Sequence, residues 1–452
     1  MLNLKQIVKG KCIDLSFEGK GVVRINNDMV FCDGLFIGEE ADIEITYKRD
    51  GYYFGKIKKL YSTSPDRIQP LCKICTACGG CQFQQLSYKA QLEFKRLRVE
   101  RAFKKAFPKL NINVNDVIGM DNSPYYYRNK IQVPFQNERK GKVVYGFFKE
   151  YSHKIVPFDK CYIQDERTHT ILKNIAKLME DFKIPAYDED SRTGVVRHVL
   201  IKTSSINNDV MVVFVVSKSD FPSQRNFINA LVKLNPEIKS IVLNINSRST
   251  NVILGEREKV LYGKGFIIDD LLGVKFKVSS SSFFQVNHEQ CEKLYKCALD
   301  GLELSKDDVL LDAYSGVGTI GLIASKDVKK VLSVEINPSS HRDAKNNAIN
   351  NGITNVDFIL GDSKDIILSK DEKYDAIVID PPRKGCDKAF LDTLNASGCK
   401  KISYISCNPD SLVEDLKTLT KQYNIVSIQP VDMFPFTAHV ETICALSFKG
   451  QK

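Results

Sequence analysis

The sequence predicts an α/β protein in three parts: a small N-terminal β-barrel, a central α+β region and a C-terminal doubly wound sheet. A chain of 452 residues is too long for one hydrophobic core. Short alternating segments at the start are typical of a small barrel. In the last third, strands alternate with helical patterns and end on polar residues, which predicts a mostly parallel sheet. We expect the three parts to span residues 1–62, 63–275 and 276–452.

The composition indicates a soluble, folded protein with surplus positive charge. Apolar residues make up 43% and charged residues 27% of the chain, which excludes a disordered chain. No stretch is long and uncharged enough for a membrane helix, so we expect a cytoplasmic protein. The formal charge of +10 comes from 65 basic and 55 acidic residues. It suits a polyanionic partner such as nucleic acid but does not require one.

The predicted barrel depends on four alternating segments that are separated by Gly and Asn-Asp turns. They lie at residues 22–25, 29–32, 41–47 and 53–57. The stretch STSPDRIQP follows them, and its Pro and Ser content predicts a linker.

Four of the 13 cysteines fall in CKICTACGGC, as Cys72, Cys75, Cys78 and Cys81. In a reducing cytosol such a cluster favours a metal site over disulfides. Four thiolates suit either tetrahedral zinc or an iron–sulfur cube, so the spacing alone does not choose the metal. Chance clustering of inert thiols is the remaining alternative.

A basic helix is predicted after the cysteines, in LSYKAQLEFKRLRVERAFKKAF. Its cations are either a solvated face or a surface that faces RNA. They are Lys89, Lys95, Arg96, Arg98, Arg101, Lys104 and Lys105.

The C-terminal third has the pattern of a nucleotide-binding doubly wound fold. A strand at 309–311 leads through a Gly-containing loop into a helix, and the next strands end at Glu335, Asp362 and Asp380. The carboxyl ends of parallel strands meet at one edge, so we expect the site there. The loop YSGVG lacks the complete G-x-G-x-x-G fingerprint, which favours S-adenosylmethionine over a ligand with a pyrophosphate. An NAD-dependent dehydrogenase is the alternative.

The motif SCNP places Cys407 directly after a fifth strand, at the same predicted edge. A free cysteine is more often a core residue than a nucleophile, so its place in a loop after a strand matters. Glu441 precedes a further strand, in FPFTAHVETI. A thiol and a carboxylate at one sheet edge, beside a methyl donor, form a coherent set of reactive groups.

Six motifs, in this order, resemble those of the RNA uracil-C5 methyltransferases, which make 5-methyluridine. The resemblance covers nearly the whole chain. The motifs are SSFFQVN with Gln285, LDAYSGVGTIG with Tyr314, SVEINP with Glu335, VIDPPRKG with Asp380, YISCNP with Cys407 and FPFTAHVETI with Glu441.

The resemblance implies a covalent mechanism. Cys407 would add to C6 of uracil, C5 would take the methyl group, and Glu441 would remove the C5 proton. The residues implied around S-adenosylmethionine are Gln285, Tyr314, Glu335 and Asp380. The C-terminal part would then be a Rossmann-like S-adenosylmethionine-dependent methyltransferase domain.

The resemblance also implies the substrate and a second cofactor. The barrel is similar to an OB-like TRAM domain, and Cys72, Cys78, Cys81 and Cys161 match the family's [4Fe-4S] ligands, with Cys75 as an extra thiol. Barrel and cluster together indicate the branch that modifies 23S ribosomal RNA. The substrate would be a single-stranded loop with a flipped uridine. We expect a monomer without an obligate protein partner.

Three other functions stay open. A transfer RNA uracil-C5 methyltransferase would use the same chemistry. An RNA cytosine-C5 methyltransferase also attacks C6, but its nucleophile usually lies in a Thr-Cys loop, which SCNP is not. A non-enzymatic iron–sulfur RNA-binding protein would have inherited the fold without the activity.

Overall fold

A computed structural model describes residues 2–138, 141–149, 152–248, 252–369 and 374–450. The strands are β1 Ile7–Leu15, β2 Gly21–Ile25, β3 Asp28–Cys32, β4 Glu40–Arg49, β5 Tyr52–Leu60, β6 Lys130–Asn137, β7 Val143–Phe148, β8 Ile155–Pro157, β9 Val196–Thr203, β10 Val210–Val216, β11 Ile238–Ile245, β12 Arg257–Gly263, β13 Phe266–Leu271, β14 Val274–Ser279, β15 Val309–Asp312, β16 Lys330–Glu335, β17 Val356–Leu360, β18 Ala376–Ile379, β19 Lys401–Ser406, β20 Tyr423–Val431 and β21 Glu441–Phe448. The helices are α1 Cys75–Cys78, α2 Tyr88–Ala106, α3 Arg167–Asp181, α4 Gln224–Leu234, α5 His288–Asp300, α6 Thr319–Ala324, α7 Pro338–Asn350, α8 Ser363–Ser369, α9 Lys388–Ser397 and α10 Pro409–Leu419.

The first five strands close into a barrel in the order β1-β2-β3-β5-β4, with β1 pairing back to β4. Buried and half-buried residues alternate along the first part of β4, because successive side chains point to opposite sides of the barrel wall. The predicted N-terminal barrel is therefore confirmed. Strand β1 was not among the four predicted segments.

The central region is built on a seven-stranded sheet in the order β12-β11-β10-β9-β6-β7-β8. Every residue of β10 is buried, which explains its uninterrupted apolar sequence VMVVFVV. Helices α3 and α4 pack on this sheet in one hydrophobic core.

The C-terminal sheet has seven strands in the order β17-β16-β15-β18-β19-β21-β20. Strands β15 to β19 run parallel, and β21 runs antiparallel to both of its neighbours. One core joins the sheet to α2, α9 and α10, and another joins it to α5, α6 and the β13–β14 hairpin. The strand order reverses between β15 and β18, which is where doubly wound sheets open a ligand crevice.

Helix α2 begins at Tyr88 and ends at Ala106, so the predicted basic helix is present. Ser87 caps it by accepting a hydrogen bond from the backbone of Ala90. Its cations do not form one surface, because Lys95 lies on the face that packs against the C-terminal sheet and is 0% exposed. The expectation that Lys95 belongs to a solvated or RNA-facing surface is wrong.

In the described part of the chain, the helices are all too short or too polar to cross a membrane.

Candidate active site

Five predicted site residues meet at the carboxyl edge of the C-terminal sheet. Glu335 is the last residue of β16, Asp380 follows β18 and Cys407 follows β19. Tyr314 lies two residues beyond β15. Glu441 reaches the same edge from the opposite direction, because it is the first residue of the antiparallel strand β21.

The register of β19 and β21 brings Cys407 and Glu441 side by side. Ser406 pairs with Thr442 at the end of the ladder. One step further along both chains lie Cys407 and Glu441, so the thiol and the carboxyl group are cross-strand neighbours. The chain separates them by more than thirty residues, and only the antiparallel pairing joins them.

The carboxyl groups at this edge are buried and hold their protons unusually well. Glu441 is 5% exposed, and burial together with the charge of Asp380 raises the pKa of Glu441 to about 8. Burial raises the pKa of Asp380 and of Asp312 to about 7. Carboxyl groups with pKa values close to neutrality are suited to proton transfer.

The thiol of Cys407 is neutral in this environment. Burial, together with the charges of Glu441 and Asp380, raises its pKa to about 11, and the Arg383 guanidinium opposes this rise. The half-buried Cys407 thiol would therefore have to lose its proton before it could act as a nucleophile.

Hydrogen bonds join the loop of Cys407 to the loop that follows Asp380. Asn408 caps α10 by accepting from Asp410 N, and its Nδ2 donates to the Arg383 carbonyl oxygen at 3.4 Å. Ser411 Oγ donates to the same carbonyl oxygen at 3.1 Å. The two loops that carry Cys407 and Arg383 therefore hold a fixed relative position.

A buried network holds the far end of the loop that follows Asp380. Asp415 Oδ2 accepts from Tyr404 Oη at 2.5 Å and from Cys386 N at 2.8 Å. Gly385 has a φ of 84°, and a Cβ built there would lie 2.6 Å from Asp415 Oδ2. The loop thus needs glycine at that position to approach the carboxylate.

Two carboxylates accept hydrogen bonds from backbone N–H groups of the Gly-containing loop after β15 and of the helix that follows it. Glu335 Oε2 accepts from Gly316 N at 2.8 Å, and its Oε1 accepts from Asn337 N at 2.6 Å. Asp312 Oδ2 accepts from Gly321 N at 2.9 Å. Each oxygen of Glu335 keeps a second lone pair, so the carboxylate is able to accept hydroxyl groups of a ribose as well.

Tyr314 and Gln285 pack against different helices, α9 and α5. The ring of Tyr314 contacts Phe390 edge-on, with 5.3 Å between the ring centroids. The side chain of Gln285 hydrogen-bonds to Tyr295, a buried residue of α5. Burial raises the pKa of Tyr295, and the charges of Cys291 and Asp380 raise it as well. The backbone oxygen of Gln285 accepts from Asn129 Nδ2 at 3.0 Å, which ties its loop to the central region.

The segment before Glu441, residues 432–440, is held by helix α2; we call it the strap. Lys95 Nζ forms an ion pair with Asp432 and donates to the Phe434 carbonyl oxygen at 3.0 Å. Tyr88 Oη donates to the other oxygen of Asp432 at 2.8 Å. Lys95 and Asp432 are both 0% exposed.

The Lys95–Asp432 ion pair was not predicted from the sequence. The local signal is that Lys95 lies directly after the buried Phe94 and four positions before the buried Val99, which is the spacing of one helix face. Nothing in the sequence identifies Asp432 as its partner.

The predicted metal ligands line one cavity of about 400 Å³. Burial raises the pKa of each of its five thiols. Among the described residues, no three His, Cys, Asp or Glu side chains converge closely enough to hold a single metal ion. The cysteines of the cavity are Cys72, Cys75, Cys78, Cys81 and Cys161, and its basic residues are Arg128, Lys130 and Lys160.

Comparison with known proteins gives bacterial relatives over the whole length. The chain is 42% identical over 439 residues to an uncharacterized RNA methyltransferase of Clostridium tetani, which covers 96% of this chain and 95% of the relative. It is 39% identical over 450 residues to an uncharacterized RNA methyltransferase of Staphylococcus epidermidis, covering 99% and 98% of the two chains.

A solved structure matches the complete fold. The crystal structure of Pyrococcus abyssi tRNA (uracil-54, C5)-methyltransferase with S-adenosyl-L-homocysteine superposes with a TM-score of 0.80 and 26% identity. The match covers 97% of this chain and 99% of the archaeal one. The family model described as tRNA (Uracil-5-)-methyltransferase matches residues 87–449. The protein therefore belongs to the tRNA (uracil-5-)-methyltransferase family.

Proposed function

We propose that the protein methylates C5 of a uridine in RNA, with Cys407 as the nucleophile and Glu441 as the base. The observation that carries the proposal is the cross-strand placement of Cys407 and Glu441 at the edge of the C-terminal sheet. Family membership supports the reaction, since the family description names uracil C5.

The crevice suits S-adenosylmethionine. It has open space at the Gly316 position, where a Cβ would meet nothing within 4 Å, and a carboxylate with free lone pairs at Glu335. We assign Gln285, Tyr314, Glu335 and Asp380 to this ligand. When bound, S-adenosylmethionine supplies an electrophilic methyl group and leaves as S-adenosylhomocysteine.

Cys407 makes uracil C5 reactive. Carbon C5 is a poor nucleophile until electron density reaches it, and addition of the Cys407 sulfur to C6 provides that density. The thiol must first lose its proton, and Arg383 is the nearby cation that favours the thiolate. The uridine has to leave its stack to reach this edge.

Glu441 completes the reaction. After methylation C5 carries both a methyl group and a proton, and the Glu441 carboxylate accepts that proton. The electron pair of the C5–H bond forms the C5–C6 double bond, and the C6–S bond breaks to return the Cys407 thiolate. Because burial favours protonated Glu441, the carboxylate is a strong enough base for this step.

We assign Cys72, Cys78, Cys81 and Cys161 to a [4Fe-4S] cluster. The cavity they line is larger than one ion needs, and its basic side chains would offset the negative charge of a cluster with four thiolate ligands. The assignment rests on the resemblance of the cysteine set and on the shared cavity, since no three such side chains among the described residues converge on one ion. Cys75 lines the same cavity as a fifth thiol.

We propose 23S ribosomal RNA as the substrate, on the resemblance of the barrel and the cysteine set to that branch. A uridine of transfer RNA is the second candidate. It is favoured by the Pyrococcus abyssi tRNA (uracil-54, C5)-methyltransferase, whose structure matches 97% of this chain. Because that match extends over nearly the whole chain, the barrel alone does not distinguish the two substrates, and the choice of 23S ribosomal RNA rests on the barrel and the cysteine set together.

The test compares methyl transfer to 23S ribosomal RNA and to transfer RNA transcripts, followed by mapping of 5-methyluridine. We expect the wild-type protein to methylate 23S ribosomal RNA, and methylation of the transfer RNA transcripts instead would favour the second candidate. Cys407→Ala should abolish methylation and keep RNA binding, which would exclude a non-enzymatic RNA-binding protein. Methylation of cytidine instead of uridine in the same transcripts would contradict the proposal.

A further inference from the structure

A loop of the barrel touches the strap that leads to the proposed base. The loop joins β1 to β2 and spans residues 16–20; we call it the β1–β2 loop. At Gly19 the φ angle is 80°, and a Cβ built there would lie 2.7 Å from the ring of Phe83 and 3.4 Å from Cβ of Ala438. Ala438 belongs to the strap and lies three residues before Glu441. The β1–β2 loop therefore reaches the surroundings of the active site.

The barrel is fixed in this position by a buried core and an ion pair. Arg67 forms two hydrogen bonds to the carboxylate of Glu39, at 2.6 and 2.7 Å, and Glu39 is 0% exposed. The core at this junction joins the barrel to the cysteine segment and α2. Its members are Leu15, Phe36, Phe83, Leu86 and Phe94.

Phe17 projects from this loop into solvent. Its side chain is 63% exposed, and the Arg98 guanidinium lies 5.7 Å from the centre of its ring. Arg98 also forms an ion pair with Asp410, three residues after Cys407. The exposed ring is thus linked through its own loop to the strap, and through Arg98 to the first turn of α10, the helix that follows the proposed nucleophile.

We propose that Phe17, supported by Arg98, is a stacking platform for an unpaired base of the substrate RNA, within a few nucleotides of the flipped uridine. The inference rests on the proposed function. An aromatic ring beside a guanidinium group binds the faces of unstacked bases with little sequence preference. On the same helix as Arg98, the exposed Lys105 suits a phosphate of such a strand, whereas the exposed Arg101 is paired with Asp14.

The experiment uses a covalent trap. In RNA that carries 5-fluorouridine at the methylated position, C5 holds fluorine where Glu441 needs a proton, so the Cys407–C6 bond persists. A single 2-aminopurine is placed at successive positions beside the target, in the transcript that the wild-type protein methylates. Stacking on Phe17 should quench its fluorescence at one position in the wild-type adduct, and the Phe17→Ala adduct should lack that quenching.

Kinetics with a set of variants provide a second measurement. Phe17→Ala should raise KM for the RNA about tenfold, with the loss in kcat/KM arising from KM. Phe17→Leu should behave like Phe17→Ala because it keeps apolar area but has no planar face, and Phe17→Trp should restore binding. Ile13→Ala is the matched control, since Ile13 is 55% exposed on β1 of the same barrel.

Equal quenching at every position in the wild-type and Phe17→Ala adducts, with equal KM values, would overturn the platform alone. A KM for Phe17→Leu that equals the wild-type value would also overturn it, because apolar contact would then suffice. Failure of the wild-type protein to form the adduct would overturn the proposed function, and the platform with it.

Discussion

The carboxyl group of Glu441 has to lose its own proton before it accepts one from uracil, and burial opposes that loss. Its pKa is raised to about 8 by burial and by the charge of Asp380. The neighbouring thiol of Cys407 has a pKa raised to about 11. Both groups are therefore mostly protonated at neutral pH, and both proposed steps need the deprotonated form.

This predicts that methyl transfer rises with pH. We expect kcat/KM to increase through about pH 8 and to keep increasing more slowly above it, as Glu441 and then Cys407 ionise. The measurement is methyl transfer to RNA from about pH 6 to about pH 10, with RNA affinity measured at each pH as the control. A rate that falls over this range while RNA affinity stays constant would contradict it.

The same burial predicts a stability cost at residue 441. The unfolded carboxyl group titrates near its usual value of 4.5, whereas the folded one keeps its proton up to about pH 8. The unfolded state therefore binds fewer protons between these two values, and the free energy of unfolding falls as the pH rises through that window. Above pH 8 the full cost remains.

Glu441→Gln removes this cost while it keeps the side-chain size. We expect the variant to raise Tm by about 2 °C or more at pH 9 and to leave Tm unchanged near pH 4. Thermal unfolding at both pH values measures it, and Glu414→Gln is the control because Glu414 is an exposed carboxylate of α10. An equal Tm for the variant and the wild-type protein at pH 9 would contradict the expected burial cost.

At the scale of elements, the antiparallel strand β21 and helix α2 bring the site together. Strand β21 places Glu441 beside Cys407, and α2 holds the strap before it through Lys95. The Lys95–Asp432 ion pair has no exposed surface, so neither charge is hydrated. Removing one partner leaves the other charge buried and unpaired.

Lys95→Met is therefore expected to lower the free energy of unfolding by about 3–5 kcal/mol. The double variant Lys95→Met with Asp432→Asn leaves no buried charge and should lose less than Lys95→Met alone. Urea unfolding measures both, with Lys105→Met as the control because Lys105 is exposed on the same helix. Equal losses in the single and double variants would show that the pairing of the two charges is unimportant.

At the scale of the whole molecule, a backbone hydrogen bond connects the segment after the cysteine cavity to the strap beside the candidate active site. Phe83, two residues after Cys81, donates its backbone N–H to the Phe436 carbonyl oxygen of the strap at 3.0 Å. Because the proposed reaction has no redox step, we expect the proposed cluster to act as a structural brace for this region. Its loss would then disturb both the central region and the strap.

We predict that Cys78→Ser with Cys81→Ser abolishes bound iron and sulfide, lowers Tm and weakens RNA binding. Iron and sulfide analysis, thermal unfolding and RNA affinity measure the three effects. Cys75→Ser is the matched control, since it removes a thiol of the same cavity that we do not assign to the cluster. Unchanged folding and RNA affinity in the double variant would show that the cluster is no brace.

Some predictions stay outside what the structure and the relatives test. The division into residues 1–62, 63–275 and 276–452 remains a prediction, and its second boundary lies inside β14. The monomeric state, the cytoplasmic location and the lack of an obligate protein partner also remain predictions.

Local sequence by itself determined the parts of the site that follow strands. Glu335, Asp380 and Cys407 were predictable because each ends or directly follows a parallel strand. The carboxyl ends of parallel strands lie at one edge of the sheet. The barrel was predictable for a similar reason, since alternation and turn residues act over a few positions. These signals are all short-range.

Only the tertiary structure decided which distant side chains meet. Lys95 reads as one more cation of a basic helix, and the fold buries it against Asp432, 337 residues away. In the same way the fold brings Phe17 to Arg98, which is itself paired with Asp410, three residues after Cys407. The physical reason is that burial and ion pairing depend on how separate elements pack, and the pattern of one segment does not identify its partner in another.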